Sequence, residues 1–591
     1  MKSHATDYLT TLLTLLMLWL PAGAIADTCG SPATAISQVQ GSQARSPLVG
    51  QQVTVEGVVT LDSRHRGGFR GFYLQQADGE TDGDPTTSEG LFVYTNRKTG
   101  RVGHRVRVRG RIKEFHGLTE LTDIRLLKDC GKATLPAPAS VRLPWPGARA
   151  PEHLENMRVA VAAPLTVIDN YNLARYGELT LANAPQSIPT NIMPPGSEAV
   201  QLQERQQLHR LLLDDNHGVR YPEPPPWPTP ALAANNTVRA GDTVSALDGV
   251  LDYRFGAWRL QPISRPHFHT DNHRPAAPER ATGANLRVVT LNLENYFNGD
   301  GQGGGFPTPR GAKTPEQFEQ QNRRLAATLT APDPDIVAVA ELENDGHDKD
   351  SAMAALARAL GPDWRPVVSG DSSGNDVIQT GLFYRADRVE PLGQAHRLNA
   401  GPYRNLGRRP LAQAFRPRGL AASVRIIVPH LKSKACRGAN GAERDQGDGQ
   451  GCYNQRRTNA ARALVQWADS LPDMPGLAGT LITGDLNSYA REEPLTVFRN
   501  AGYDSMVHRF HPCGSTSTGC PHATYRYKGR HGSLDYALAS ETLAARVIGA
   551  WSWPVNAGEP GALGYQGSVQ VPEAFPWRSS DHNPVITDLA L

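Results

Sequence analysis

Residues 285–591 alternate short apolar runs with helix-like segments, and polar side chains appear where the apolar runs end. Alternating strand and helix signals argue an α/β domain. Strands are predicted at 286–293, 335–341, 381–385, 422–432, 479–486, 533–539 and 585–589. Thr314-Pro315-Glu316-Gln317 places a capping residue before a first-turn proline and predicts a helix to about residue 329. A second helix is expected over 458–471, with Ala461, Leu464, Val465 and Trp467 on its inner face.

The 591-residue chain is too long for that domain alone. With 39% hydrophobic and 20% charged residues it reads as globular, and a net charge of +3 neither demands nor excludes a polyanionic partner. Lys2, the apolar run 12–20 and Ala24-Ile25-Ala26 predict a signal peptide over 1–26, with the mature chain starting at Asp27 and a secreted or periplasmic location. The run is too short to span a bilayer, which weighs against an N-terminal anchor, and no stable membrane association is expected. Six cysteines in an exported chain favour disulfides. Their distribution suggests Cys29–Cys130 bracketing an N-terminal module, Cys436–Cys452 closing one loop and Cys513–Cys520 another. Without a CxxC pair, metal-binding cysteines are disfavoured.

Residues 27–132 alternate as a small β module. In RVGHRVRVRGRIK, Val102, Val106, Val108 and Ile112 share one strand face, and Arg105, Arg107 and Arg109 lie on the other with Arg101, Arg111 and Lys113. That face is either a solvated exterior or a strand that tracks a phosphate backbone. Residues 135–265 form a second, mostly β module, with a mobile insertion ending in YPEPPPWPTP. Residues 266–284 read as a polar linker, and the prolines beside His267, His269 and His273 argue against a metal site there. GDGQG occurs at 299–303 and again at 447–451, as glycine-rich loop rims rather than calcium loops.

Six segments of the last domain carry chemistry at or near strand ends. They are Asn292 in TLNLEN, Glu341 in DIVAVAELEND, His430 in IIVPHLKSK, Asp485 and Asn487 in LITGDLNS, Asp535 in SLDYAL, and Asp581-His582 in SSDHNP. Ligands in open α/β folds gather at strand ends. Carboxylates with a neutral oxygen suit a hard divalent cation such as Mg²⁺, and a histidine held by a buried carboxylate suits proton transfer to or from water. The set fits metal-assisted phosphodiester hydrolysis, with metal at Asn292, Glu341 and Asp581 and catalysis by His430, Asp485, Asn487, Asp535 and His582. Arg456 and Arg457 in NQRR either contact phosphate or cap the following helix.

In this order the motifs resemble the endonuclease/exonuclease/phosphatase superfamily, the DNase I-like fold. More narrowly, LNLENYFNGDGQGGGFPTPRGA, ELENDG, PLAQAF, HLKSK, GDGQGCYNQRR and TGDLNSYAREEP resemble the ExeM/NucH-type extracellular bacterial nucleases, as do NYNLARYGELTLA and GVLDYRFGAWRLQP upstream. The resemblance implies a four-layered α/β sandwich at 285–591, two β-sheets flanked by helices. It also implies an OB-like module before it and a secreted, divalent-metal-dependent nuclease acting on extracellular DNA, with RNA as a further substrate. Mg²⁺ is the expected ion, with Mn²⁺ as an alternative and Ca²⁺ in a supporting role. Water is activated by Asp485 or by the His582–Asp535 pair. No obligate protein partner is evident, and a monomer is expected. Relatives often carry a C-terminal sorting tail; the stop at Leu591 favours free release. The competing reading is a secreted phosphodiesterase or phosphatase of the same fold, sphingomyelinase-like, against which stands the lack of an apolar docking hairpin.

Overall fold

The computed structural model describes residues 27–299, 305–406, 408–513, 520, 522–569, 571 and 575–591. The expected signal peptide and most of the first GDGQG copy lie outside the described residues.

Strands Gln52–Asp62, Gly71–Gln75, Gly90–Tyr94, His104–Phe115 and Leu118–Lys132 close into a barrel. Val106, Val108 and Ile112 point into its core beside Val55, Val59, Phe72 and Leu91, whereas Val102 precedes the strand and is exposed. A Cys29–Cys130 disulfide ties the start of the module to its last strand. The arginine face is not a free phosphate track. Glu56 stands directly opposite Arg107 in the antiparallel register, and like the cross-strand charge pairs of other sheets the two neutralise one another. Arg107 is fully buried, donating to Glu56 Oε2 at 3.0 Å and to the carbonyls of Ser31 and Pro32. Arg105 is held by Glu56 at 2.6 Å and Glu80 at 2.7 Å, and Arg109 by Asp27 at 2.8 Å.

A nine-stranded sheet follows, packed on the barrel through Tyr73, Phe92, Leu118 and Val250. The segment expected to be linker contributes to it, because His267–His269 pairs with Thr243–Ser245 at the edge. Part of the expected mobile insertion is also ordered: Pro189–Ile192 and Ser197–Gln207 are helical.

The last domain holds two six-stranded sheets. One runs Trp364–Pro366, Ile378–Arg385, Ile336–Glu343, Leu286–Tyr296, Val585–Leu589, Val547–Ser552. The other runs Val389–Arg397, Leu411–Pro417, Ser423–Val428, Leu477–Asp485, Asp535–Ser540, Tyr503–Ser505. Val288, Ala338, Leu382, Val424, Ile426 and Leu481 form the core between them. Helices Pro315–Thr330 and Ala352–Leu360 cover the outside of the first sheet. Asn454–Ser470 and Glu493–Asn500 cover the second, giving four layers. Thr314 caps its helix as expected by accepting from the Gln317 backbone N–H, while the Gln317 side chain reaches back to Lys313 N at 2.8 Å. Disulfides Cys436–Cys452 and Cys513–Cys520 close two loops. Among the described residues no helix is long and apolar enough to cross a membrane.

Candidate active site

The two sheets meet face to face at Thr290 and Thr483, whose hydroxyls are hydrogen-bonded. Side chains two residues further along a strand lie on the same face, so Asn292 and Asp485 also meet. Asn292 Nδ2 donates to Asp485 Oδ2 at 3.0 Å. Asp485 is the hub. Asn487 donates to it twice, from its backbone N at 2.8 Å and from Nδ2 at 3.0 Å. His430 bridges it from one neighbouring segment, and Asp535 stands directly opposite on the other.

Burial, and then the charge of Asp535, push the Asp485 carboxyl up to about 7; His582 and the donors from Asn487 and Asn292 pull the other way. Asp535 Oδ2 accepts from His582 Nδ1 at 2.7 Å in a fully buried pair. Burial disfavours the imidazolium, but Asp535, Asp581 and Asp485 outweigh it and hold His582 well above its ordinary value. His582 Nε2 faces Asp581 Oδ1 at 4.0 Å, and the Tyr525 ring lies 4.6 Å from the imidazole. Ser580 positions this loop: its Oγ donates to the Asn292 carbonyl at 2.6 Å and accepts from His582 N at 3.1 Å.

Glu341 sits in the left-handed region, φ 60°, where its strand bends. Its Oε2 accepts from Asn295 N at 3.0 Å. Burial and the charge of Asp581 raise its carboxyl. Two hard oxygen donors that repel each other across the cleft are what a divalent cation relieves, so Glu341 and Asp581 fit one. Asp485, Asp535 and His582 also lie within 4.8 Å of one another through ligand-type atoms, but there Nδ1 is already engaged by Asp535.

Three participants escaped the motif reading. Arg408 is buried; its Nη1 lies 2.9 Å from His430 Nε2, and its Nε 3.3 Å from Asp376. A guanidinium only donates, so His430 accepts there, and burial with Arg408 drives its pKa well down. His430 is therefore neutral; Arg408 Nη1 lies 3.2 Å from its Nδ1 as well, and its Nε2 is 3.5 Å from Asp485 Oδ2. Glu294 forms a bidentate pair with Arg578 at 2.6 and 3.1 Å. Burial raises its carboxyl to about 7, with Arg578 opposing and Asp581 adding. TLNLEN contained Glu294, but nothing in the sequence connects it to Arg578, 284 residues away.

Arg457 is not a phosphate ligand. It is fully buried, donating to the carbonyls of Cys452 at 2.6 Å and Gln450 at 2.9 Å and to Ser488 Oγ at 3.2 Å. Arg456 sits in the first turn of that helix, its backbone N donating to Glu443 at 3.3 Å. Lys434 is held by Glu492 at 2.6 Å, and burial lowers it to about 8.

Glu341, Arg408, His430, Asp485, Asn487, Asp581 and His582 line a cleft of about 980 Å³. One wall comes from the preceding module: Thr190, Ala199 and Gln203 face it. That arm is fastened to the last domain by Thr190 Oγ1 to Glu492 at 2.8 Å, Ile188 N to the His531 carbonyl at 2.9 Å, and Ser533 N to Asn191 Oδ1 at 3.1 Å. Arg310, Arg408, Lys432, Lys528 and Arg530 supply positive charge around the cleft.

No curated protein matches the chain. Among solved structures, the human Nocturnin catalytic domain with bound sulfate is 16% identical, covering 51% of this chain and 93% of that one at a TM-score of 0.34. An AP endonuclease from Archaeoglobus fulgidus is 13% identical, covering 52% and 100% at 0.32. A mannosyl-6-phosphatase from Bacteroides thetaiotaomicron is 15% identical, covering 52% and 100% at 0.34. Residues 289–582 match the model of the Endonuclease/Exonuclease/phosphatase family. Each polar group gathered on the cleft floor falls inside that span, so the part of the chain that carries the site is the part similar to that family.

Proposed function

We propose that the protein is an exported, divalent-metal-dependent nuclease that hydrolyses phosphodiester bonds of DNA, of the ExeM/NucH type. The observation that carries the reading is the cleft. At about 980 Å³ it lies at the upper end of ordinary ligand clefts, far larger than one phosphoryl group needs, and its positive charge extends beyond the catalytic floor to Lys432, Lys528 and Arg530. A polymer that continues past the scissile phosphate uses that space. Three disulfides favour an oxidising compartment, in keeping with export.

Glu341 and Asp581 would hold the cation, which when bound neutralises charge on the phosphoryl oxygens. Asp485, poised near neutrality with its oxygens fixed by Asn292 and Asn487, orients water and takes its proton. His582, kept cationic by Asp535, faces the phosphoryl group with Nε2 and stabilises negative charge developing there. Neutral His430, braced by Arg408, lines the cleft beside Asp485.

Purified protein is incubated with plasmid DNA, RNA and sphingomyelin, with Mg²⁺ or with EDTA, alongside His582→Ala. DNA cleavage that needs the metal and falls roughly 10²- to 10⁴-fold in His582→Ala is expected. Sphingomyelin cleavage without DNA cleavage sinks the substrate assignment, and activity surviving both EDTA and the substitution sinks the chemistry.

A further inference from the structure

The barrel and the nine-stranded sheet each push one hairpin tip into a shared cavity of about 830 Å³, remote in sequence from the catalytic cleft. The barrel hairpin turns at His116-Gly117 and the sheet hairpin at Phe255-Gly256; all four residues have φ between 53° and 91°. Turns with two left-handed residues suit asparagine followed by glycine. A phenylalanine in the left-handed region is a backbone outlier. Phe255 accepts that strain although 76% of it is exposed, so burial does not explain its presence. Strain of this kind persists where it serves a site.

The surroundings indicate the ligand. Phe115 is 44% and Tyr94 38% exposed, and both rim the same cavity. Each aromatic carries a cation: Lys113 lies 5.1 Å from the Phe115 ring, Arg70 5.6 Å from Tyr94, and Arg259 5.2 Å from Phe255. Arg254 is wedged between Phe69 and Phe92 at 4.3 and 4.4 Å and is held by Asp252 at 2.7 Å, so the floor is rigid. The two tips approach closely: a Cβ at Gly117 would come within 2.8 Å of the Tyr253 ring. Asp123 and Glu120 also line the cavity, Asp123 facing Arg111 at 3.7 Å.

We infer that this junction is a second binding site, for single-stranded DNA, in which unpaired bases stack on Phe115, Phe255 and Tyr94 while Lys113, Arg70 and Arg111 meet the backbone. Exposed rings interleaved with cations are the chemistry of single-strand binding: every base has a face to stack, and every linkage carries a charge. Duplex DNA keeps its bases stacked on one another and offers these rings nothing. The inference takes DNA as the ligand from the reading of the cleft and is otherwise independent of the cleft's chemistry.

The test is fluorescence anisotropy of labelled oligothymidylate with the full-length protein in EDTA. Phe115→Ala and Phe255→Ala each weaken binding roughly tenfold or more, and Phe255→Trp retains it. Phe255→Asn separates function from folding: it relieves the left-handed strain, so melting temperature holds or rises while oligonucleotide binding falls. Hydrolysis of bis(p-nitrophenyl) phosphate with Mg²⁺ stays at wild-type rates in these variants. Binding unchanged by loss of the rings, or displacement by heparin as readily as by unlabelled oligothymidylate, overturns the site. Ring-dependent binding by a protein that fails to cleave DNA would sink the nuclease reading and leave this site standing; DNA cleavage with ring-independent binding does the reverse.

Discussion

Replacing Asp535 by Asn tests whether His582 works as a cation. Asp535 Oδ2 lies 2.7 Å from His582 Nδ1, with relative exposures of 0% and 7%. Asparagine preserves the volume and one acceptor but removes the charge. Two unit charges about 4 Å apart interact by about 4 kcal/mol at the effective dielectric of protein sites, and the partial hydrogen bond that remains offsets some of this. A loss of about 2–4 kcal/mol corresponds to roughly 30- to 1,000-fold in kcat/KM. Burial lowers the His582 pKa and Asp535 is the first of the carboxylates that raise it, so removing that charge lets the value fall. Activity that needs the imidazolium is then lost at lower pH than in the wild type, moving the alkaline limb of the profile downward. NMR titration of His582 reads the shift directly, and DNA cleavage across pH reads its consequence. An unshifted titration, or kcat/KM within about twofold of wild type at every pH, would refute the assignment.

Arg408→Lys keeps a charge beside His430 but loses the fork that reaches both His430 Nε2 and Asp376. Turnover is expected to fall roughly tenfold or more, read as kcat on DNA; unchanged turnover would exclude a role for the fork. Glu152 is the pH-sensitive group of the module junction, pushed to about 7 by burial and then by Glu114. A carboxyl raised from 4.5 stabilises fully below 4.5 and loses that contribution as pH rises through 7. Glu152→Gln should therefore add up to about 2 kcal/mol at pH 8, after discounting for solvent screening, and nothing near pH 4; equal denaturation midpoints for variant and wild type at pH 8 would exclude it.

The central strands were legible because buried parallel neighbours need continuous apolar runs, as in Ile336–Glu343 and Ser423–Val428. Val389–Arg397 was not, since an edge strand with Pro391 and Gly393 and alternately exposed residues carries no such run. The arm Ser197–Gln207 read as a mobile insertion because its sequence, SEAVQLQERQQ, has no apolar stripe. It is held instead by polar contacts, among them Gln206 with Arg530 and Gln203 O with Arg530 at 3.2 Å. The outer arginines of the barrel misled for the opposite reason. Alternation placed them on one face, but Glu56, the residue that neutralises two of them, sits on a neighbouring strand that periodicity cannot locate. Asn292, Asp485 and His582 were legible as strand-end polar groups. Arg408 and Arg578 were not, because each acts through a partner distant in sequence.

The strand pairing explains why the site holds so much unrelieved charge. Asp485 and Asp535 are fixed directly opposite one another on adjacent antiparallel strands, a placement that destabilises a sheet when both are ionised. Glu341 lies near the end of Ile336–Glu343 in the other sheet, and Asp581 precedes the last strand. The four carboxylates thus come from four separate segments, and the three that stand on strands cannot retreat without breaking a ladder. His582, Arg408 and Arg578 offset part of the repulsion from below, yet Asp485 and Glu341 remain raised. A ligand that brings positive charge to this floor binds the folded state alone and stabilises it in proportion to RT ln(1 + [L]/Kd). In the proposed metal-dependent reaction the same repulsion becomes affinity for a cation, and because its sources are spread over both sheets, that affinity exists only after the sheets have packed.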